Sequence, residues 1–178
     1  MRAMCDAASF SVRERLRNGE EIEIRALRPA DRNALLRALA RASERSLYRR
    51  FFGVRREFSD AEVTAFVDVD FKTQVALVAV SHENGLEVIA AGARYIVVRP
   101  GTAEIAFTVL DDYQRRGIAG VLLRQLAALA RAAGLSTLIA EVLPENTAML
   151  RVFERSGLKA AQVRDGDLVH VTLPLARA

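Results

Sequence analysis

The sequence predicts an α+β fold in which a mixed central sheet, antiparallel in its first half, is flanked by helices. Three observations carry this expectation. The runs QVALVAVS, EVIAAGARYIVV and AEIAFTVL alternate as strands and are separated only by turn signals, ENG at 83–85 and Pro100-Gly101, so they read as an antiparallel meander. The helical patterns gather before and after that meander instead of alternating with its strands. A long pattern of period 3.6, with Leu122, Leu126, Leu129 and Ala133 on one face, then ends near Gly134 and is followed by the strand TLIAEVL.

Taken in order, residues 1–18 read as a loose basic arm and 19–178 as a single domain. EIEIRALRP is a short alternating strand stopped by Pro29, and Asp31 stands where it can cap a helix running to about Ala42. SERSLYRRFF is a second helix. Ser59, with Glu62 three residues on, forms a capping box for the short helix SDAEVTAFVD. In AEIAFTVL, alternation puts Ile105, Phe107 and Val109 on one face and Glu104, Ala106 and Thr108 on the other. A helix from about Glu145 to Ser156 and two strands, around 157–163 and 168–173, complete the chain.

Composition narrows the function classes. A chain of 178 residues, 51% hydrophobic and 27% charged, suits one soluble domain, and with no membrane-length apolar run and no signal-peptide pattern the expected location is the cytoplasm. Cys5 is the single cysteine and the histidines are only His82 and His170, so neither an internal disulfide nor a metal site is spelled out. Residues 1–56 carry +7 and residues 57–178 carry −3 of the overall +4. The arginines of the first part lie at helical spacings among alanines and leucines without a nucleic-acid motif, which favours a solvated helical surface over a nucleic-acid face.

The most informative stretch is DDYQRRGIAG at 111–120, where glycines open a helix directly after a strand. A helix start presents unpaired N–H groups and partial positive charge, and glycine lets a ligand approach that backbone. That is anion-binding chemistry, most often for phosphate.

Together with the order of elements, Gln114-Arg-Arg-Gly-Ile-Ala119 resembles the Q/R-x-x-G-x-G/A signature of the GNAT superfamily of acyl-CoA-dependent N-acyltransferases. VLPENTAMLRVFERSGL looks like the family's second motif, and the resemblance spans roughly residues 20–175. SERSLYRRFFG, FVDVDFKTQVALVAV and AEIAFTVLDDYQRRGIA are similar to stretches of the Pat-type protein lysine acetyltransferases. The resemblance implies a splay between the fourth and fifth strands of the sheet as counted from EIEIR. It implies acetyl-CoA as cosubstrate, with no metal, its pyrophosphate on the N–H groups of Arg116, Gly117, Ile118, Ala119 and Gly120, with charge from Arg115 and Arg116 and with Gln114 in the motif. Gly117 and Ala119 also read as small residues packing helix on sheet.

Backbone groups around Val109, Leu110 and Asp111 are then expected to hold the pantetheine arm and polarise the thioester, and Asn146 either hydrogen-bonds that arm or caps its own helix. Met149 and Phe153 pack beside the pantetheine or in the core. Counting seven residues from Asn146, where many family members place a proton-donating tyrosine, reaches Phe153, which has no proton to give. Glu104 is the candidate base that takes a proton from the acceptor amine, although a strand glutamate is also at home on a surface. The implied activity is direct acetyl transfer to a primary amine, with protein lysine ahead of small-molecule amines. A non-catalytic acyl-CoA sensor is the reading from another class.

Overall fold

The computed structural model describes residues 6–55 and 57–175; Cys5 lies outside them. Eight strands form one sheet in the order β1-β2-β3-β4-β5-β6-β8-β7. β1 (Ser11–Arg15), β2 (Glu21–Ala26), β3 (Gln74–Glu83), β4 (Leu86–Arg99) and β5 (Thr102–Val109) pair antiparallel in succession. β6 (Thr137–Val142) runs parallel to β5, and β8 (Leu168–Pro174) pairs antiparallel with both β6 and the edge strand β7 (Ala161–Asp165). The expected mixed α+β architecture is therefore present. Its meander follows from turn chemistry, since Asn84 (φ 51°) and Gly85 (φ 80°) occupy the two left-handed positions of the β3–β4 hairpin.

Strand β3 is buried on both faces, and its alternation sorts the core into two layers. Val75, Leu77 and Ala79 belong to the large cluster that includes Leu122, Leu126 and Ala130 of α4 (Ile118–Ala132) and packs against α5 (Thr147–Glu154). Ala76, Val78 and Val80 face the other way, into a smaller cluster with Leu35 and Ala38 of α1 (Arg32–Arg41) and Val67 of α3 (Asp60–Val67). Helix α2 (Glu44–Phe51) starts on Ser43, whose hydroxyl accepts the Ser46 N–H, and the Ser59–Glu62 capping box of α3 is formed in both directions.

Two expectations are corrected here. Residues 11–15 are not part of a loose arm: Ser11–Arg15 pair with 21–25 of β2, and the Glu14 carboxylate accepts from Arg124 (2.8 Å) and Gln125 (2.7 Å) of α4. Val12 is the segment's single apolar residue, so its alternation is too weak to announce a strand that partners supply. Asp31 precedes α1 but does not cap it with its side chain. Its carboxylate is instead buried against Arg25 (2.7 and 2.8 Å) and accepts the Arg28 N–H (2.8 Å). Burial raises its pKa, and the bonds from Arg25 and Arg28 outweigh that and hold it below the ordinary aspartate value. Arg25 is itself 4% exposed on β2, and a buried guanidinium demands a counter-charge more strongly than a helix end demands a cap.

The feature that positions the site is a break between β5 and β6. They pair only through Thr102↔Thr137, Ala103↔Leu138 and Glu104↔Ile139. Beyond that point β5 stays on β4 as far as Val109 and β6 stays on β8 as far as Val142, so the sheet opens into a V with Glu104 at its vertex. These are the two strands between which a splay is expected.

Candidate functional site

Strand geometry decides which backbone groups face the V. The Leu110 N–H donates to the Ala90 carbonyl of β4 (2.9 Å), so alternation turns the groups of Ala106, Thr108 and Leu110 toward β4 and those of Ile105, Phe107 and Val109 into the opening. The Val109 carbonyl is taken by Gln114 Nε2 (3.1 Å), which also donates to Ser46 Oγ (3.2 Å). The motif glutamine thus ties the loop to the strand end and to α2. Both backbone groups of Leu110 are used, since its carbonyl accepts the Tyr113 N–H (2.9 Å), and its side chain is buried. Asp111 opens a tight helical turn (Asp111–Tyr113), and its own N–H bonds its carboxylate, which also accepts the Ser43 N–H (3.1 Å) and hydroxyl (2.9 Å). Burial raises the Asp111 pKa and the Ser43 and Ser46 donors more than reverse that. Of the three residues expected to offer backbone groups, only Val109, through its N–H, turns one into the V.

The loop that follows is shaped for an anion. Arg115 (φ 63°) and Gly117 (φ 87°) take left-handed backbone on either side of Arg116, an alternation that aims successive N–H groups into one concavity. α4 then begins at Ile118 with no side-chain cap, and the N–H groups of Ile118, Ala119 and Gly120 have no acceptor within the helix. A Cβ built on Gly117 or on Gly120 meets nothing within 4 Å, so the space before the helix is open. Gly117 therefore serves backbone conformation and access rather than packing of helix on sheet, which corrects half of its dual reading. Arg115 is exposed. Arg116 is committed: it pairs with Glu20 of the β1–β2 turn (2.7 Å), donates to the Asp112 carbonyl (2.6 Å) and lies 4.7 Å over the Tyr113 ring. Its charge is already met by a carboxylate, so of the two arginines Arg115 alone is available to a ligand.

Where the V widens lies a cavity of about 70 Å³. Glu104, Ala106, Phe107, Asn146, Met149 and Phe153 line it from the sheet and α5, and Arg49, Arg50 and Phe52 line it from the end of α2. The Glu104 carboxylate is exposed and makes no hydrogen bond or ion pair among the described residues, although its charge acts on Arg50. Asn146 caps α5 by accepting the Met149 N–H (3.4 Å). Phe153 is 1% exposed and meets Phe107 edge-on at 6.0 Å, so it belongs to the core as well as to the cavity wall. A second cavity of about 110 Å³ lies on the α1–α3 side of the sheet, and Arg50 and Ala106 line both. Its walls are almost wholly apolar, with Leu35, Phe66, Val78 and Ile89 among them, and Arg50 and Arg94 are its charged residues. Sequence reading does not single out Arg49, Arg50, Phe52 or Arg94. The available signal is the helix face of SLYRRFF, where the buried Ser46 and Leu47 place Arg50 toward the sheet.

Among the described residues no cluster of three or more His, Cys, Asp or Glu side chains could hold a metal ion, and no helix is long and apolar enough to cross a membrane.

The family profile described as "Acetyltransferase (GNAT) domain" matches residues 21–159, most of the chain. The chain belongs to the GNAT acetyltransferase family. This GNAT domain is 36% identical over 146 residues to "Acetyltransferase Pat" of Mycolicibacterium smegmatis, a match covering 80% of this chain and 42% of that protein. It is 34% identical over 122 residues to "Acetyltransferase PA5475" of Pseudomonas aeruginosa, covering 68% and 66%. The chain thus spans less than half the length of the first of these relatives and about two thirds of the second. Its fold superposes on the crystal structure of the GNAT domain of S. lividans PAT with a TM-score of 0.83 at 31% identity, over 92% of this chain and 96% of that one.

Proposed function

We propose that this GNAT domain transfers an acetyl group from acetyl-CoA directly to a primary amine. The observation that supports this best is the V at Glu104, where an exposed, unbridged carboxylate, the inward-facing Val109 N–H and an open, uncapped helix start occur together. Acetyl-CoA supplies an activated thioester and an anionic handle. The N–H groups of Arg116 to Gly120, with Arg115, are the groups that take the pyrophosphate. The Val109 N–H is aimed where it can polarise a carbonyl laid along β5, and such a donor stabilises the charge that develops on that oxygen. Met149 and Phe153 give the arm an apolar wall.

Glu104 has the proton to handle. A lysine-type amine with a pKa near 10.4 is neutral about once in 2,500 molecules at pH 7, a cost of roughly 4.6 kcal/mol that a positioned base helps offset. The amine nitrogen attacks the thioester carbon, the carbon–sulfur bond breaks, and the proton passes to Glu104 directly or through water. The departing thiolate, of a thiol with pKa about 8.5, needs no donor at the Phe153 position. For the acceptor, likeness to Pat favours a protein lysine, whereas the small apolar cavity beside Ala106 favours a small-molecule amine.

The test is Glu104→Gln. Calorimetric affinity for acetyl-CoA should stay at the wild-type value while kcat falls roughly 100-fold or more, and rate should recover with rising pH as solvent supplies neutral amine. Wild-type rates in the folded variant would remove Glu104 from the reaction.

A further inference from the structure

Arg50 is a cation without a hydrogen-bonded partner at the mouth of an apolar cavity. It lines both cavities, and no hydrogen bond or ion pair engages its guanidinium among the described residues. Its neighbour Arg94, on β4, is satisfied by the Phe66 carbonyl and by Gln74 Oε1 (3.4 Å). The Phe51 ring lies 4.9 Å from the Arg50 guanidinium and offers a face but no charge. The charged groups acting on it are Arg94, which repels, and Glu104, which attracts. Burial and Arg94 together lower its pKa to about 10, so it stays protonated at neutral pH. A half-buried charge of this kind is costly unless something anionic meets it, and a guanidinium forks onto a carboxylate.

Three features therefore converge at one place: a carboxylate able to accept an amine proton, a guanidinium without a partner, and an apolar chamber opening beside both. An α-amino acid with an apolar side chain carries the three complements on a single carbon. We propose that Arg50 docks the carboxylate of the acceptor, and that the acceptors of this domain are α-amino acids with a short aliphatic side chain. The amine then faces Glu104 and the side chain enters the cavity of about 110 Å³, somewhat below the roughly 150 Å³ that takes a benzene ring, so a leucine-sized group suits it. A protein lysine brings no carboxylate to Arg50 and carries its ammonium toward two guanidiniums. The inference rests on acetyl transfer at this site, as proposed above, and adds the substrate class.

The experiment measures CoA released by the full chain from acetyl-CoA with L-leucine, with isoamylamine, which is the same skeleton without the carboxylate, and with a lysine peptide, all at equal concentrations of neutral amine. Wild type should favour leucine over isoamylamine in kcat/KM by roughly 10- to 100-fold, the scale of a hydrogen-bonded charge. Arg50→Gln should collapse that ratio mainly through KM for leucine, and Arg50→Lys should restore part of it. Equal use of leucine and isoamylamine, or an unchanged ratio in folded Arg50→Gln, overturns the inference. So does a lysine peptide accepted in preference to leucine, which leaves acetyl transfer itself standing. In a further arm, succinyl-CoA replaces acetyl-CoA with isoamylamine as acceptor. If Arg50→Gln impairs only the succinyl donor, the carboxylate belongs to the acyl chain and the inference falls. If no amine is acetylated although acetyl-CoA binds, the reading of the reaction fails, and calorimetry of leucine with wild type and Arg50→Gln then decides the carboxylate site alone, wild-type affinity in the folded variant overturning it.

Discussion

Gly117 allows the anion-binding reading of the loop to be separated from its structural role, because alanine and glutamate there perturb different things. At φ 87° any Cβ strains the backbone, by about 1–2 kcal/mol, yet the added atom meets nothing within 4 Å, so no clash compounds the cost. For a chain of this size that strain lowers Tm by roughly 2–8 °C in Gly117→Ala. Glutamate carries the same strain but places a carboxylate at the uncapped start of α4, where the helix dipole returns about 0.3–1 kcal/mol. Gly117→Glu should therefore be at least as stable as Gly117→Ala. Ligand binding should order them the other way. A unit charge about 4 Å from a phosphate costs about 1 kcal/mol in bulk water and about 4 kcal/mol near a protein surface. Since Gly117 is exposed, the lower half of that range applies, and Gly117→Glu should bind acetyl-CoA about 10- to 100-fold more weakly than Gly117→Ala at low salt, the gap narrowing as salt is added. Thermal unfolding without ligand and calorimetry at two ionic strengths measure both quantities. Equal affinities, or a glutamate variant markedly less stable than the alanine one, would refute the assignment of this helix start to phosphate.

The two loop arginines should behave differently. Arg115→Ala should weaken acetyl-CoA binding and flatten its salt dependence, whereas Arg116→Ala should chiefly lose the partly exposed pair with Glu20, a stability change of about 1 kcal/mol or less that a denaturation midpoint detects. The Arg25–Asp31 pair is buried on both sides, and Asp31→Asn should cost about 3–5 kcal/mol by leaving the buried Arg25 with only a long contact to the exposed Glu87 (3.8 Å). Because the folded Asp31 pKa lies below the unfolded value of about 3.9, the stabilisation is present above that pH and is lost as pH falls through the folded pKa, and Asp31→Asn should remove this acid-dependent component from urea midpoints measured across a pH series.

Much of the fold was legible because local chemistry encodes it. The alternation of β3 to β5, the Asn84-Gly85 turn, the Ser59–Glu62 box and the glycine-opened start of α4 are each set by residues a few positions apart, whose steric and hydrogen-bonding demands hold in any context. The same is true of the loop at 114–120, since a positive φ and unpartnered N–H groups are properties of the backbone itself. What only the tertiary structure decided depends on distance between segments remote in sequence. β1 exists because β2 and α4 pair with it, not because SVRER prefers a strand. Arg116 looked like an equal of Arg115 until Glu20, 96 residues away, proved to hold it, and Asp111 was occupied by Ser43. The V at Glu104 arises because β6 follows β8 while β5 follows β4, a choice between partners that no single strand contains. Arg50 and Glu104 likewise become neighbours only when α2 is laid across β5, since the energy that joins two charges depends on their separation in space and leaves no periodic trace in either segment.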